Sequence, residues 1–481
     1  MPLVRKIVLN IGWLSGAQFV DYLLRAVIGV LVARYLGVEQ YGAFAPAMSL
    51  ALMGAVFTDL GLRMTVLRTG STDPADLRRV TGIAAAAKGI LIALVYLLLL
   101  AFTAATGLGG LEFTLVAILG AGIFLGSYAE LFTAILQARE RMALWGAVTV
   151  GFRLILLCAV LMVVLNGGDV VAIGLAYAAA NVMGALVALA MAGLTANRAA
   201  ASNHAPGTPV SILLRRSLQF GAAAVLMALF LQADIVMLRL LLGEAAGRYQ
   251  SGLYGVAFRL IALLYAVPIV VQSAVMPRLY GYASDPARLG RAYSVLFRWS
   301  LAVSAALSAV AAALAPILVV LLFGEEFGPA APAFALLAAG LWLHQLNYVC
   351  GDTLYALDLQ AWRAWSLAAV VALNIGLNLF MIPAFGAVGA ALSTLIAELL
   401  LLLLLYAAAQ RRVPLKSAAT FTAPLVLSIL AGICLWAVSL ISPAFIQLLL
   451  GAAAVLAVPA LLLVFRYLRL SDIFQSGNPE E

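Results

Sequence analysis

Fourteen stretches of predominantly apolar residues, each about 20 or more long, follow one another along the chain, and each suffices to cross about 30 Å of hydrocarbon. Cut at charges, Pro and Gly, they run 10–33, 42–62, 80–103, 113–138, 142–165, 170–195, 214–240, 250–277, 291–314, 327–356, 362–382, 386–409, 418–440 and 445–465. Hydrocarbon offers backbone polar groups only two solutions, the helix and the closed barrel. Apolar residues here are contiguous and do not alternate with period two, which excludes the barrel. The expected fold class is an all-α polytopic membrane protein of 14 transmembrane helices. Composition agrees: 65% of the 481 residues are hydrophobic and 10% charged, where a soluble domain carries about 25% charged residues. A soluble enzyme, a disordered chain and a secreted disulfide scaffold are excluded, and no room remains for a soluble domain.

The net charge of +8 points to loop orientation and not to nucleic acid, because cytoplasmic loops collect Lys and Arg. With the N-terminus in the cytoplasm, 20 of the 28 basic residues, from Arg5 and Lys6 to Arg466 and Arg469, fall on cytoplasmic segments. Outer loops hold only Arg34, Arg239 and Arg248, and five more lie inside spans: Arg25, Lys88, Arg153, Arg259 and Arg298. Both termini are therefore expected in the cytoplasm of a cell whose inner (plasma) membrane holds the protein. The first apolar run continues through Asp21 and Arg25 to Leu31 without a persuasive cleavage site, and reads as a transmembrane helix and not a signal peptide. Cys158, Cys350 and Cys434 all sit in apolar runs, an arrangement that makes neither a disulfide framework nor a zinc site.

An internal repeat organises the spans. Leu3-Val4-Arg5-Lys6 corresponds to Leu213-Leu214-Arg215-Arg216, Tyr41-Gly42 to Tyr254-Gly255, Arg63 to Arg278 and Gly174 to Gly389, at offsets of 210 to 215. Six-helix units duplicated in this way share one orientation and form parallel repeats about an axis along the membrane normal. The expected division is an N-lobe at 1–200, a cytoplasmic linker at 201–213, a C-lobe at 214–410, and an added helix pair with a cytoplasmic tail at 411–481. Parallel repeats point to a two-lobed transporter.

Ala33-Arg34-Tyr35-Leu36-Gly37-Val38-Glu39-Gln40-Tyr41-Gly42-Ala43-Phe44, with Asp59-Leu60-Gly61-Leu62 after it, resembles the opening of the polysaccharide transporter family. This is the oligosaccharide (O-antigen type) flippase branch of the multidrug/oligosaccharidyl-lipid/polysaccharide exporter superfamily. Asp234-Ile235-Val236-Met237-Leu238, Gly252-Leu253-Tyr254-Gly255-Val256-Ala257-Phe258-Arg259, Leu322-Phe323-Gly324-Glu325-Glu326-Phe327 and Ile382-Pro383-Ala384-Phe385-Gly386-Ala387-Val388-Gly389 extend the resemblance to about residue 410. The resemblance implies two lobes arranged as a V, a cavity lined by helices 1, 2, 7 and 8, and a polyprenyl-diphosphate-linked glycan as cargo. It also implies a polysaccharide polymerase and glycosyltransferases as partners. A drug or cation exporter of the same superfamily and a non-transporting scaffold are the alternatives.

A sugar–diphosphate head cannot cross hydrocarbon unaided and needs a polar, cationic path. Arg suits phosphate oxygens through its bidentate fork. Arg25 and Arg259 stand at similar depths in corresponding helices and are the expected arms of a diphosphate clamp, unless Arg25 only pairs with Asp21 one turn earlier. Lys88 and Arg153 are further substrate candidates, or neutralise Glu130 in a structural cluster. Asp21, Asp234 and Glu398, the last with no obvious partner, are candidates for a coupling Na⁺ or proton. His344 and Asp352 are expected to be hydrogen-bonded core groups. No charge occurs between Lys416 and Arg466, so helices 13 and 14 should face lipid or border a groove for the polyprenyl tail. The chain has no Gly-x-x-x-x-Gly-Lys-[Ser/Thr] and no His-Glu-x-x-His, so no enzyme activity, ATP, metal or cofactor is expected. A reporter fused after Glu481 should be cytoplasmic and one near Gly107–Gly110 external; protease accessibility placing both on one side would refute the helix count.

Overall fold

A computed structural model of the chain describes residues 2–72, 76–194, 210–282, 285–413, 419–439 and 443–464. Among the described residues every regular element is helical: α1 (Pro2–Asp59), α2 (Leu62–Thr72), α3 (Leu77–Ala105), α4 (Gly110–Gly126), α5 (Tyr128–Ala138), α6 (Met142–Leu165), α7 (Val170–Leu194), α8 (Val210–Leu241), α9 (Glu244–Gly281), α10 (Pro286–Ala313), α11 (Ala315–Phe323), a 3-10 turn (Glu325–Ala330), α12 (Ala331–Ala339), α13 (Leu341–Ala356), α14 (Gln360–Gln410), α15 (Ala419–Ser439) and α16 (Ala444–Val464). The fourteen apolar spans map onto them in order. α1 holds the first two and α14 the eleventh and twelfth, each parted at one glycine; α4 with α5 makes the fourth, and the 3-10 turn with α12 and α13 the tenth. Of the expected linker, only residues 210–213 are described, where they open α8; Arg198, Lys416, Arg466 and Arg469 lie outside the described residues, as does the tail beyond 464.

The expected outer loops after the first and eleventh spans shrink to single residues. Gly37 (φ 68, ψ 175) and Gly386 (φ 57, ψ −132) reverse the chain alone, because a residue without Cβ enters the left-handed region at no steric cost. The same device marks the duplication. Left-handed residues recur in pairs between equivalent helices: Gly37 and Gly243, Gly107 and Gly324, Glu140 and Asp358, Gly167 and Gly386, which are 206, 217, 218 and 219 positions apart. The repeat legible in a few sequence matches is thus also written into the turns.

The chain divides into two compact units, Met1–Gly252 and Leu253–Glu481. In the first, α1 packs on α4, α6 and α8, and α4 on α7. Close backbone approach sets these contacts: a Cβ on Gly122 would lie 2.2 Å from Ala178 Cα, and one on Gly42 would lie 1.9 Å from the Arg248 carbonyl oxygen. In the second, α10 carries α13, α15 and α16, while α12 and α13 pack on α14. The added pair therefore docks on the ninth span, with Ala302 and Ala306 of α10 meeting Val458 and Leu462 of α16. Its other face leaves Val426, Ile429, Leu430, Ile433 and Trp436 exposed. On α3, Ile90, Leu94, Leu97 and Leu98 are exposed in the same way. Such stripes have hydrocarbon as their solvent, and the protein is a multi-pass membrane protein.

Gly122→Val should force α4 from α7 and cost about 1–3 kcal/mol, read as a lower melting temperature of the purified protein. Gly151→Ala, where a Cβ meets nothing within 4 Å, should leave it unchanged or raise it slightly; equal losses would contradict the packing described.

Candidate functional site

Among the described residues, the carboxylates of Asp21, Asp59, Glu112 and Glu398 each anchor a group of side chains, and each group can be followed from the helix that carries it. Asp21 lies in the first half of α1 and is buried. Arg25, one turn later, donates from Nε to Asp21 Oδ2 at 2.7 Å. Arg153 of α6 donates from Nε to Asp21 Oδ1 at 2.6 Å and stacks over Phe152, 4.6 Å from the ring centroid. Arg25 stands twelve residues before Gly37 and Arg153 twelve before Leu165, about 18 Å along each helix at 1.5 Å per residue. Two guanidinium groups thus share one carboxylate at matched depth, and the cluster carries a net positive charge. The Arg25 side chain is 55% exposed and that of Arg153 16%. The expected Asp21–Arg25 pair is present, with a third member that spacing alone did not give.

The expected Lys88–Glu130–Arg153 cluster does not form. Lys88 Nζ donates to Asp59 Oδ1 at 3.0 Å and the lysine side chain is wholly buried. Glu130 on α5 is exposed, and Arg153 belongs to Asp21. Counting residues along the helices left open which way each side chain points around its helix. Nearby, Arg63 donates to Gln137 Oε1 at 3.1 Å, and the Thr65 and Ser217 hydroxyls meet at 2.6 Å, joining α2 to α8.

The third group escaped sequence reasoning. Glu112, in the first turn of α4, is buried and accepts from Arg239 Nε at 3.0 Å, from Arg248 Nε at 2.5 Å and from Arg248 Nη2 at 2.7 Å. Arg239 ends α8 and also donates to the Gly243 carbonyl at 3.0 Å; Arg248 opens α9 and reaches Glu244 at 2.9 Å. A signal existed: these arginines are two of the three basic residues that the positive-inside pattern assigns to the outer side. Their place against that trend is explained by a carboxylate that holds both.

The fourth group lies in the second unit. Glu398 on α14 was expected to lack a partner, yet His344 Nδ1 lies 2.6 Å from its Oε1, and Asn347 Nδ2 donates to Oε2 at 2.6 Å. His344 is hydrogen-bonded and buried, as expected, and Asp352 meets Arg363 at 3.5 Å. Arg259 is half-buried on α9 in the second unit, and Asp234 is buried on α8 in the first. Arg25 and Arg259 therefore belong to different units, and the arginine beside Arg25 is Arg153. Among the described residues no group of three or more His, Cys, Asp and Glu side chains could hold a metal ion.

The architecture is that of known membrane transporters. "Lipid II flippase MurJ, inward closed conformation" superposes with a TM-score of 0.73 at 13% identity, covering 94% of this chain and 99% of that one. An inward-facing "multidrug resistance MATE family transporter of the MOP superfamily" gives 0.63 at 15% identity, over 83% of this chain and 96% of that one. The eukaryotic MATE transporter AtDTX14 gives 0.59 at 13%, over 89% and 99%. At these identities the likeness establishes a shared fold. No curated protein matches the sequence. The family model described as "Polysaccharide biosynthesis protein" matches residues 7–281, more than half of the chain, and the chain belongs to that family.

Proposed function

We propose that the protein is a flippase that moves a polyprenyl-diphosphate-linked oligosaccharide from the cytoplasmic to the outer leaflet of the inner membrane by alternating access. One observation carries this reading: two arginines share a single aspartate within the membrane-spanning part of the first unit. An excess cation in a helix bundle is costly unless an anion answers it, and marks a functional site by default. A diphosphate supplies that anion. Asp21 fixes both guanidinium groups through Nε, which leaves the Nη nitrogens to reach phosphate oxygens. Lys88, wholly buried on Asp59, is better suited to hold the turn after α1 than to meet cargo. Arg259 remains a second-unit candidate for the head group. A drug exporter with cationic cargo calls for an acidic site, which the net charge of this cluster disfavours. Glycosyltransferases that build the cargo and a polymerase that consumes it are the partners this reading implies.

The same reading gives the Glu112 cluster a task. It ties α8 and α9, which open the second repeat, to α4 of the first. In the proposed cycle the repeats at 1–200 and 214–410 act as lobes, and residues 411–481 travel with the second. Opening the Glu112 end must part α4 from the α8–α9 turn. Buried ion pairs return much of their attraction as hydration when water enters, so the latch is firm when dry and opens at modest cost. Asp21, already saturated by two guanidinium groups, is a poor site for a coupling cation; Asp234 stays a candidate.

Transport can be followed in liposomes with a labelled polyprenyl-diphosphate sugar. Arg25→Ala and Arg153→Ala should each lower apparent affinity roughly ten- to a hundred-fold, the effect of about 1.5–3 kcal/mol per charged hydrogen bond, and Arg259→Ala should also slow transport. Arg25→Lys should recover only part, since it lacks the fork. Full activity in an Asp21→Asn, Arg25→Gln double variant would reduce Arg25 to a neutraliser of Asp21 and sink the reading. For the latch, a Gly109→Cys, Glu244→Cys protein freed of native cysteines should stop turning over when a short thiol cross-linker joins the pair. Undiminished turnover would mean that this end stays shut throughout the cycle.

A further inference from the structure

The second unit holds an acid–base pair that the glycan site does not use. His344 lies on α13, and Glu398 lies on α14 one turn after Thr394. The imidazole Nδ1 is 2.6 Å from Glu398 Oε1. Asn347, one turn after His344, donates its amide to Glu398 Oε2 at 2.6 Å and to the Glu398 carbonyl oxygen at 3.0 Å. The two side chains are 7% and 4% exposed. Tyr265 of α9 lies flat on the imidazole, with ring centroids 3.7 Å apart and planes 15° apart, and Tyr348 meets the ring edge-on at 5.1 Å.

We propose that His344 and Glu398 form a proton-binding site, loaded when occluded and unloaded when α9 moves away and water enters. The proposal rests on the transporter reading above. In the unloaded form Nδ1–H donates to Oε1, the carboxylate is charged, and the pair carries one negative charge. Loading breaks an O–H bond of a hydronium ion, forms one N–H bond at Nε2, releases a water molecule, and leaves imidazolium against carboxylate with no net charge. A low-dielectric surrounding favours the uncharged pair, and contact with water makes the charged one accessible. Proton loading and occlusion are therefore linked.

The donor set selects a proton over sodium. Both carboxylate oxygens already face nitrogen donors, His344 Nδ1 and Asn347 Nδ2, and among the described residues no group of three or more His, Cys, Asp and Glu side chains could hold a metal ion. Asn347 holds the carboxylate in place for the imidazole. Among the other titratable groups on the packed elements, Arg288 of α10 meets Asp285 at 3.2 Å, and Arg291 of α10 and Tyr249 of α9 are exposed. On α13, Cys350 is hydrogen-bonded with Tyr293 of α10 at 3.2 Å, and Asp352 meets Arg363 of α14. Arg298 of α10 donates to its own helix at the Ser294 carbonyl, Tyr355 lies under Arg363, and Tyr406 of α14 packs against Phe297. On α9, Tyr254 meets Thr394 at 3.4 Å, and Arg259 lies six residues before Tyr265. α12 has no titratable side chain.

Tyr265 supplies the mechanical link. The Tyr265 ring covers one face of the imidazole. A shift of α9 against α13 and α14 removes that ring and admits water, which favours release. Proton occupancy and the position of α9 then bias one another, as linkage requires.

The chain has two histidines, His204 and His344, which makes the site observable without cargo. In a His204→Ala protein labelled with ¹⁵N-histidine and held in nanodiscs, the remaining imidazole should pass from one ring proton to two on acidification. In Glu398→Gln it should keep one ring proton over the same range. A ring that never changes, or changes identically without the carboxylate, overturns the proposal. Should Glu398→Gln fail to fold, Tyr265→Leu leaves both titrating groups in place and must still alter the transition; an unaltered one counts against the link through α9. In liposomes with a trapped pH indicator, transport should be accompanied by proton flux in wild type and uncoupled from it in His344→Gln. Lipid movement without proton flux overturns the proposal. An imidazole that switches in a protein that moves no glycan lipid instead refutes the cargo and leaves the proton site standing.

Discussion

Hydrocarbon has no partner to offer an amide or an ion, and the rest of the structure follows from that poverty. Backbone reversals between spans are compressed to one or two residues where a glycine allows it, as at Gly37 and Gly386. Hydroxyls fold back on the carbonyl one turn earlier: Thr103 on Leu99, Thr149 on Trp145, Ser393 on Gly389. Among the described residues, the carboxylates of Asp21, Asp59, Glu112 and Glu398 each meet a nitrogen donor from a distant part of the chain. These pairings decide which helix faces turn toward one another, because an unanswered charge costs more than a lost apolar contact.

Where compensation is complete, nothing more need be inferred. Lys88 and Asp59 balance one for one and hold the α1 turn against α3. The informative sites are the unequal ones. Asp21 and Glu112 each hold two arginines, although Glu244 shares Arg248 at the second. The Glu244 side chain is 66% exposed and so belongs to the wet end of the molecule, where an excess of charge costs little. The Asp21 cluster is about 18 Å from the ends of its helices and has no such relief. Its excess charge is therefore the one on which the proposed anionic cargo rests. Glu398 differs again, since both of its side-chain partners are neutral or only conditionally charged.

Fourteen spans, their order and the duplication were legible in the sequence because hydropathy and repeat offsets are one-dimensional quantities. The same holds for the Asp21–Arg25 pair, which a single helical turn dictates. The pairs that build the sites were not legible. Arg153 reaches Asp21 across 132 positions, Arg248 reaches Glu112 across 136, and His344 reaches Glu398 across 54. Residue counting along a helix gives a position along its axis and leaves the azimuth free. Lys88, Glu130 and Arg153 share a depth range and point to three different places. The loops between the first two spans and between the eleventh and twelfth were overestimated for a related reason. A glycine's φ is not written in its identity, and only the fold selects which of 41 glycines turns left-handed.

The duplication kept the turns and let the charges diverge. At the offset of 213 that relates Tyr41 to Tyr254, Asp21 falls on Asp234, but at the 206 of the nearer turn pair, Gly37 and Gly243, it falls on Met227. Arg153 does not survive: at 218, the spacing of the neighbouring turn residues Glu140 and Asp358, its counterpart is Val371. By the same spacing His344 corresponds to Gly126, and at 219 Glu398 corresponds to Ala179. Neither half could host the other's chemistry. Turn geometry is shared because each repeat must solve the same problem of reversing a helix at a membrane surface with few residues. Charge is not shared, because two identical cationic clusters or two identical acid–base pairs would leave a symmetric molecule with nothing to convert. In the proposed cycle, an anion-holding half and a proton-holding half would supply the asymmetry from which directional transport can arise.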